Sequence, residues 1–295
     1  MAVTATDIET LATTQKPQGY WASVGKRLLK DKVALAAGAV ALGMVLMAVF
    51  APWVAPRDPL DGEMLKRLSP IGTEGYPLGA DELGRDMLSR LIYGARLSLL
   101  MGITPVLIAF FIGSAIGIAA GYSGGWVNTI TMRVLDVFYA FPSVLLAIAI
   151  SGALGAGIAN GLLSLTVVFI PPIARVAESV TTAVRKLEYI EAARASGASA
   201  LRIVRVHVLS NVLGPIFVYA TSLISVSMIL AAGLSFLGLG VSPPNAEWGL
   251  MLNTLRNAIY VQPWLAALPG VMIFLTSISF NMLSDGLRSA MDIKQ

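Results

Sequence analysis

The chain has 295 residues, of which 56% are hydrophobic and only 13% charged, and its formal net charge is +4. Soluble domains are about a quarter charged, so this composition excludes a soluble globular fold, a nucleic-acid binder and a disordered chain. With no cysteine and a single histidine, His207, the chain has no thiol chemistry and too little imidazole for a histidine metal site or a catalytic triad.

Uncharged runs long enough to cross a hydrocarbon core of about 30 Å mark the elements in chain order. Residues 1–32 form a polar segment and 33–56 the first transmembrane helix. The polar stretch and the apolar run are both too long for a cleaved secretory signal. A loop over 57–96 follows, in which Asp86 and Arg90 stand four apart and Met87, Leu88 and Leu91 make an apolar stripe, predicting an interfacial helix on the outer face. The core, 97–295, opens with a second span ending near Gly121–Gly125. On it Gly113, Gly117 and Gly121 recur every four residues, a spacing that lets helices approach closely in lipid. Arg133 and Asp136 stand three apart, either as an ion site or, more simply, as a surface pair anchoring the inner end of span three.

The uncharged run from Val137 to Ala174 would make a helix of about 57 Å, so it must turn, and Gly152–Gly157 with Asn160-Gly161 is the place. That makes spans three and four. The fifth lies in 208–246, breaking at Gly238–Gly240 and Pro243-Pro244, and the sixth starts after Pro263. The expected fold class is all-α, a polytopic membrane protein with six transmembrane helices.

With both termini in the cytoplasm, the inner segments carry fourteen of the 21 Lys and Arg residues. The reverse topology would send the most basic short loop outward, against the positive-inside rule. No P-loop is present: the nearest approach, Gly25-Lys26-Arg27, has Tyr20 at the first glycine and no Ser or Thr after the lysine. No acidic residue sits at the centre of a span, which argues against a proton relay and so against a secondary transporter. A membrane-embedded enzyme would need a cluster of polar catalytic groups at one depth. If the chain transports, another chain supplies the energy.

The most informative segment, Glu178–Pro215, joins spans four and five; its loop covers 178–210 and its core is Leu187–Leu201. Ala, Leu, Glu and Arg favour helix on both sides of Gly197, which permits a sharp change of direction. In the second helix Leu201, Val204 and Val208 are expected to share a face. Such a segment is either an amphipathic helix on the inner leaflet or a rigid knob docking into a cytoplasmic partner.

Glu191-Ala192-Ala193, with Gly197 four residues after Ala193 and then Leu209, resembles the EAA motif of ABC importer permeases. Ser210 stands where that pattern has proline, and His207 where it has isoleucine. Three further stretches resemble signatures of the C-type permeases for oligopeptides, dipeptides and nickel: Leu78–Arg90; Leu234–Gly240 with Pro243-Pro244 and Trp248-Gly249; and Phe280-Asn281 with Asp285–Arg288. On the residues alone, Pro243, Pro244 and Trp248 suit either an anchor at the outer headgroups or a gate.

The resemblance implies the type I ABC importer permease fold in a bacterial inner membrane. It also implies a homologous second permease, two ATP-binding subunits that hold ATP and Mg, and an external solute-binding protein. The chain itself would carry no cofactor, metal or catalytic site. Its coupling residues would be Glu191, Ala192, Ala193, Gly197 and Leu201, and it would form half of a path for di- or oligopeptides, with nickel, glutathione or opines as alternatives.

Overall fold

The computed structural model describes residues 20–291, so residues 1–19 of the expected N-terminal segment, and Lys294, lie outside the described part. Helix α1 (Tyr20–Leu28) ends on Lys26 and Arg27. Asp31 then caps α2 (Lys32–Val49), one carboxylate oxygen accepting from the backbone of Val33 at 3.0 Å and Ala34 at 3.1 Å. A short turn, α3 (Ala51–Val54), completes the first span. The buried face of α2 is all alanine: Ala34, Ala37, Ala41 and Ala48. Small residues allow close approach to the last helix, α12 (Pro263–Met291), where Ala34 lies against Gly286. The other faces of α2, with Leu35, Leu42 and Val49, are exposed apolar surface.

Asp86 starts α4 (Met87–Ser123) by accepting from Ser89 N at 2.8 Å. This helix has 37 residues and is about 56 Å long. No separate interfacial helix lies before the second span: Met87–Leu91 are the first turns of α4. Of the apolar stripe there, Met87 and Leu91 pack inward and are buried, and Leu88 is partly exposed. Nor do Asp86 and Arg90 pair; capping occupies the aspartate, and Arg90 turns to Asp81 at 3.1 Å.

The third span is broken. Helices α5 (Gly125–Tyr139) and α6 (Ser143–Leu154) meet at 84°. Pro142 has no N–H to continue the ladder and disfavours helical backbone at Phe141. The chain then reverses between Leu154 and Ile158, where the glycines predict it, into α7 (Ile158–Arg185). Asp136 does not pair with Arg133. Its partner is Arg175 of α7, because the bend carries α5 across that helix.

After α7 come α8 (Glu188–Ala195), α9 (Ala200–Ile203), a π-helical turn (Val204–Val208) and α10 (Leu209–Phe236). The last three run on as one rod, Ala200–Phe236. Outside the spans, α11 (Trp248–Thr254) precedes α12. Among the described residues only isolated bridges interrupt the helical architecture. Among the described residues five helices are each long and apolar enough to cross a membrane, and α5–α6 makes a sixth if the bent pair is one span.

The tightest seam joins α4 to α7. A side chain at Gly113, Gly117 or Gly121 would strike the backbone carbonyls of Ile170, Ala174 and Glu178 in turn. The four-residue glycine ladder thus meets a four-residue carbonyl ladder, and the two backbones touch. Ile173, Ala177 and Thr181 fill the alternate contacts.

Candidate functional site

The loop between spans four and five projects from the helix ends as a compact knob. Helix α8 carries Glu188 and Glu191 in its first turn and Arg194 in its last, matching the helix dipole at both ends. It ends in a Schellman motif: Gly197 N donates to Arg194 O at 2.9 Å and Ala198 N to Ala193 O at 3.1 Å. Gly197 sits at φ +80°, which an L side chain rarely adopts, although no atom lies within 4 Å of where its Cβ would stand. Ser199 then caps α9, its hydroxyl accepting from Arg202 N at 3.4 Å.

Ile190 and Ile203 are fully buried and root the knob in the main core, with Ala193 and Ala198 packed beside them. Glu191, Ala192, Gly197 and Leu201 are exposed, Leu201 at 79%. Leu201, Val204 and Val208 therefore do not share a face: Leu201 points outward while Ile203 and Val208 face the core. The π turn explains this, since its wider spacing brings residues five apart, 203 and 208, onto one side.

The knob is fastened to the adjoining ends of other spans. Arg185 donates to the terminal carbonyls of α4, Gly121 O at 3.2 Å and Tyr122 O at 3.0 Å, which suits a cation at a helix C-terminus. The Arg194 guanidinium lies 5.5 Å from the Tyr122 ring centroid. Asn211 of α10 donates to the Tyr189 hydroxyl at 3.2 Å. Higher on α7, Glu178 accepts from Asn128 of α5 and from Thr182.

At the opposite end, two sequence signatures far apart in the chain make one buried polar network. Asp81 accepts from Arg85 Nε at 2.7 Å and Arg90 Nε at 3.1 Å. Arg90 also donates to Pro59 O at 3.0 Å and Asn245 O at 3.3 Å. Glu247 caps α11 with both oxygens, from Gly249 N and Leu250 N at 2.8 Å each, and accepts Ser98 Oγ at 3.1 Å. Trp248 Nε1 donates to Leu91 O at 2.9 Å. Trp248 is fully buried, so it is not an anchor at the headgroups; Gly94, whose missing Cβ would touch the indole, leaves room for it. Burial raises the Glu247 carboxyl above its ordinary value, and its two backbone donors pull the other way.

Sequence reasoning passed over Glu247 and Arg175. A signal existed for the first: Glu247 is the only acidic residue between Glu191 and Asp285. Among the described residues no group of three or more acidic or histidine side chains could hold a metal ion.

The described chain is thus an all-helical bundle with a broken third span and a rooted loop between spans four and five. The chain belongs to the family described as the binding-protein-dependent transport system inner membrane component, whose model matches residues 113–293. A second model, the N-terminal transmembrane domain of oligopeptide transport permease C, matches residues 19–70.

Among its relatives is the glutathione transport system permease protein GsiD of Pectobacterium atrosepticum. That protein is 41% identical over 274 residues, covering 93% of this chain and 91% of the relative. The di/tripeptide transport system permease protein DppC of Pseudomonas aeruginosa is 42% identical over 256 residues, covering 85% and 84%. The fold matches a chain of the inward-facing MetNI methionine ABC transporter, with a TM-score of 0.56 at 19% identity over 69% of this chain and 97% of that one.

Proposed function

We propose that the chain is one of two homologous permease subunits of an ATP-driven importer for small peptides, glutathione among them. Its termini and the 178–210 loop face the cytoplasm. The loop docks on an ATP-binding subunit through Glu191, Ala192, Ala193, Gly197 and Leu201, and an external binding protein delivers the solute. The observation that carries this reading is the knob itself, charged and exposed outside yet rooted by Ile190 and Ile203.

The knob works as a lever. Because α9, the π turn and α10 are continuous, a push on Leu201 is delivered directly to span five. The clamp of Arg185 on Gly121 and Tyr122 passes the same push to span two. ATP binding would draw the two coupling loops together and turn the bundle outward to receive solute, and hydrolysis would reset it. This chain supplies half the path and no bond chemistry.

The test is purification from native membranes in mild detergent, followed by reconstitution with the binding protein. A second permease and P-loop ATPases should co-purify, and ATP should drive uptake of a labelled tripeptide. A stable lone chain that transports without ATP would overturn the proposal.

A further inference from the structure

We infer that Arg175, with Asp136 and Tyr139, forms a carboxylate-recognising station on the solute path, where the C-terminal carboxylate of a peptide is received. The inference rests on the peptide-importer reading above. Arg175 of α7 pairs with Asp136 of α5 in the charged contact that links spans three and four. The two side chains are half-exposed, at 50% and 38%. Ionisable groups on membrane helices face the bundle interior or water-filled space, not hydrocarbon. The side of α7 that shows Arg175 is therefore a wet one.

The surroundings agree. The guanidinium lies 5.7 Å from the Tyr139 ring centroid, and Tyr139 lines a cavity of about 280 Å³ with Phe138, Phe141, Phe169 and Tyr219. The 84° bend around Phe141 borders that cavity, and Pro171 and Pro172, inside the continuous helix α7, lie on its wall. Irregular backbone at membrane depth is tolerated only where it is buried in protein or lines such a space. Unlike Arg90, which donates to two backbone carbonyls as well as its aspartate, Arg175 engages one carboxylate and one ring. The planar fork has five donors, which leaves several to bind a second carboxylate. The aromatic walls receive peptide side chains without selecting among them.

The chain has no cysteine, so Ser143→Cys, on the cavity wall, gives a unique thiol on this subunit. In the detergent-solubilised whole importer, labelling of that thiol would be followed by mass spectrometry of this chain. Trialanine should slow labelling, and trialanine C-terminal amide should need at least tenfold more to match it. Asp136→Asn with Arg175→Gln removes both charges together and leaves amides able to bond; in a complex that still co-purifies intact, the free-acid preference should vanish. Arg175→Lys, safer for assembly, should keep the preference at severalfold higher concentration.

Uptake of trialanine in proteoliposomes is the parallel readout. Uptake without protection, equal protection by acid and amide, or a preference that survives neutralisation would overturn the station alone. Neither uptake nor protection would sink the peptide reading and this inference with it.

Discussion

Gly197 shows how a single backbone angle shapes the coupling loop. A Cβ there meets no atom, so Gly197→Ala should cost only the left-handed strain, about 1 kcal/mol, and leave transport nearly intact. Gly197→Pro cannot reach φ +80° and loses the N–H bonded to Arg194 O. ATP hydrolysis without uptake, in a chain that still inserts, is the expected result; normal uptake at wild-type expression would count against a coupling role. Asp81 is the converse case, a buried carboxylate between two guanidiniums. Asp81→Asn leaves the buried Arg90 without a carboxylate, while Arg85 keeps Glu82 at 3.1 Å, and should cost roughly 3–5 kcal/mol, read as a lost thermal transition in detergent. The motif around Asp81 was legible as a signature, but its partners were not. Arg90 is nine positions away, and only the folded loop brings it back.

At the scale of elements, the seam between α4 and α7 sets the bundle's spacing. Gly117→Ala would push a methyl into the Ala174 carbonyl and the Ala177 side chain, forcing the helices apart at a cost of about 1–3 kcal/mol. Gly43→Ala, on span one with no atom within 4 Å, should be neutral. Equal melting temperatures for the two variants would refute the seam. In the network at the end opposite the knob, Glu247 gives a pH dependence. Its folded value lies above the ordinary 4.5, so the folded state holds the proton more tightly. Its contribution is therefore fully present below 4.5, falls as pH rises towards the raised value, and is level beyond it. Glu247→Gln should flatten that part of the stability profile, and an unchanged slope would assign it to another group. The glycine ladder was visible as a packing stripe because its period is local. That it faces carbonyls, and those of α7, required a second helix.

For the whole molecule, the absence of cysteine makes orientation measurable one site at a time. Cysteine at Ser199 should react with an impermeant thiol reagent only from the cytoplasmic side, and cysteine at Thr73 only from outside; the opposite pattern would invert the proposed topology. The span positions follow from the sequence by themselves, because hydropathy and proline or glycine breaks act within a few residues and the bilayer reads them directly. The all-helical class, the reversal expected within Gly152–Gly157 and the break expected at Gly238–Gly240, just past the observed helix end at Phe236, are of that kind. What only the tertiary structure decided was partnership: Asp136 with Arg175 rather than Arg133, Arg90 with Asp81 rather than Asp86, Trp248 inside rather than at the headgroups. A short charge spacing states which pair is possible on one helix, but a bend of 84° and a buried loop bring in competitors from distant segments, and each charge pairs with the partner that the fold sets within reach.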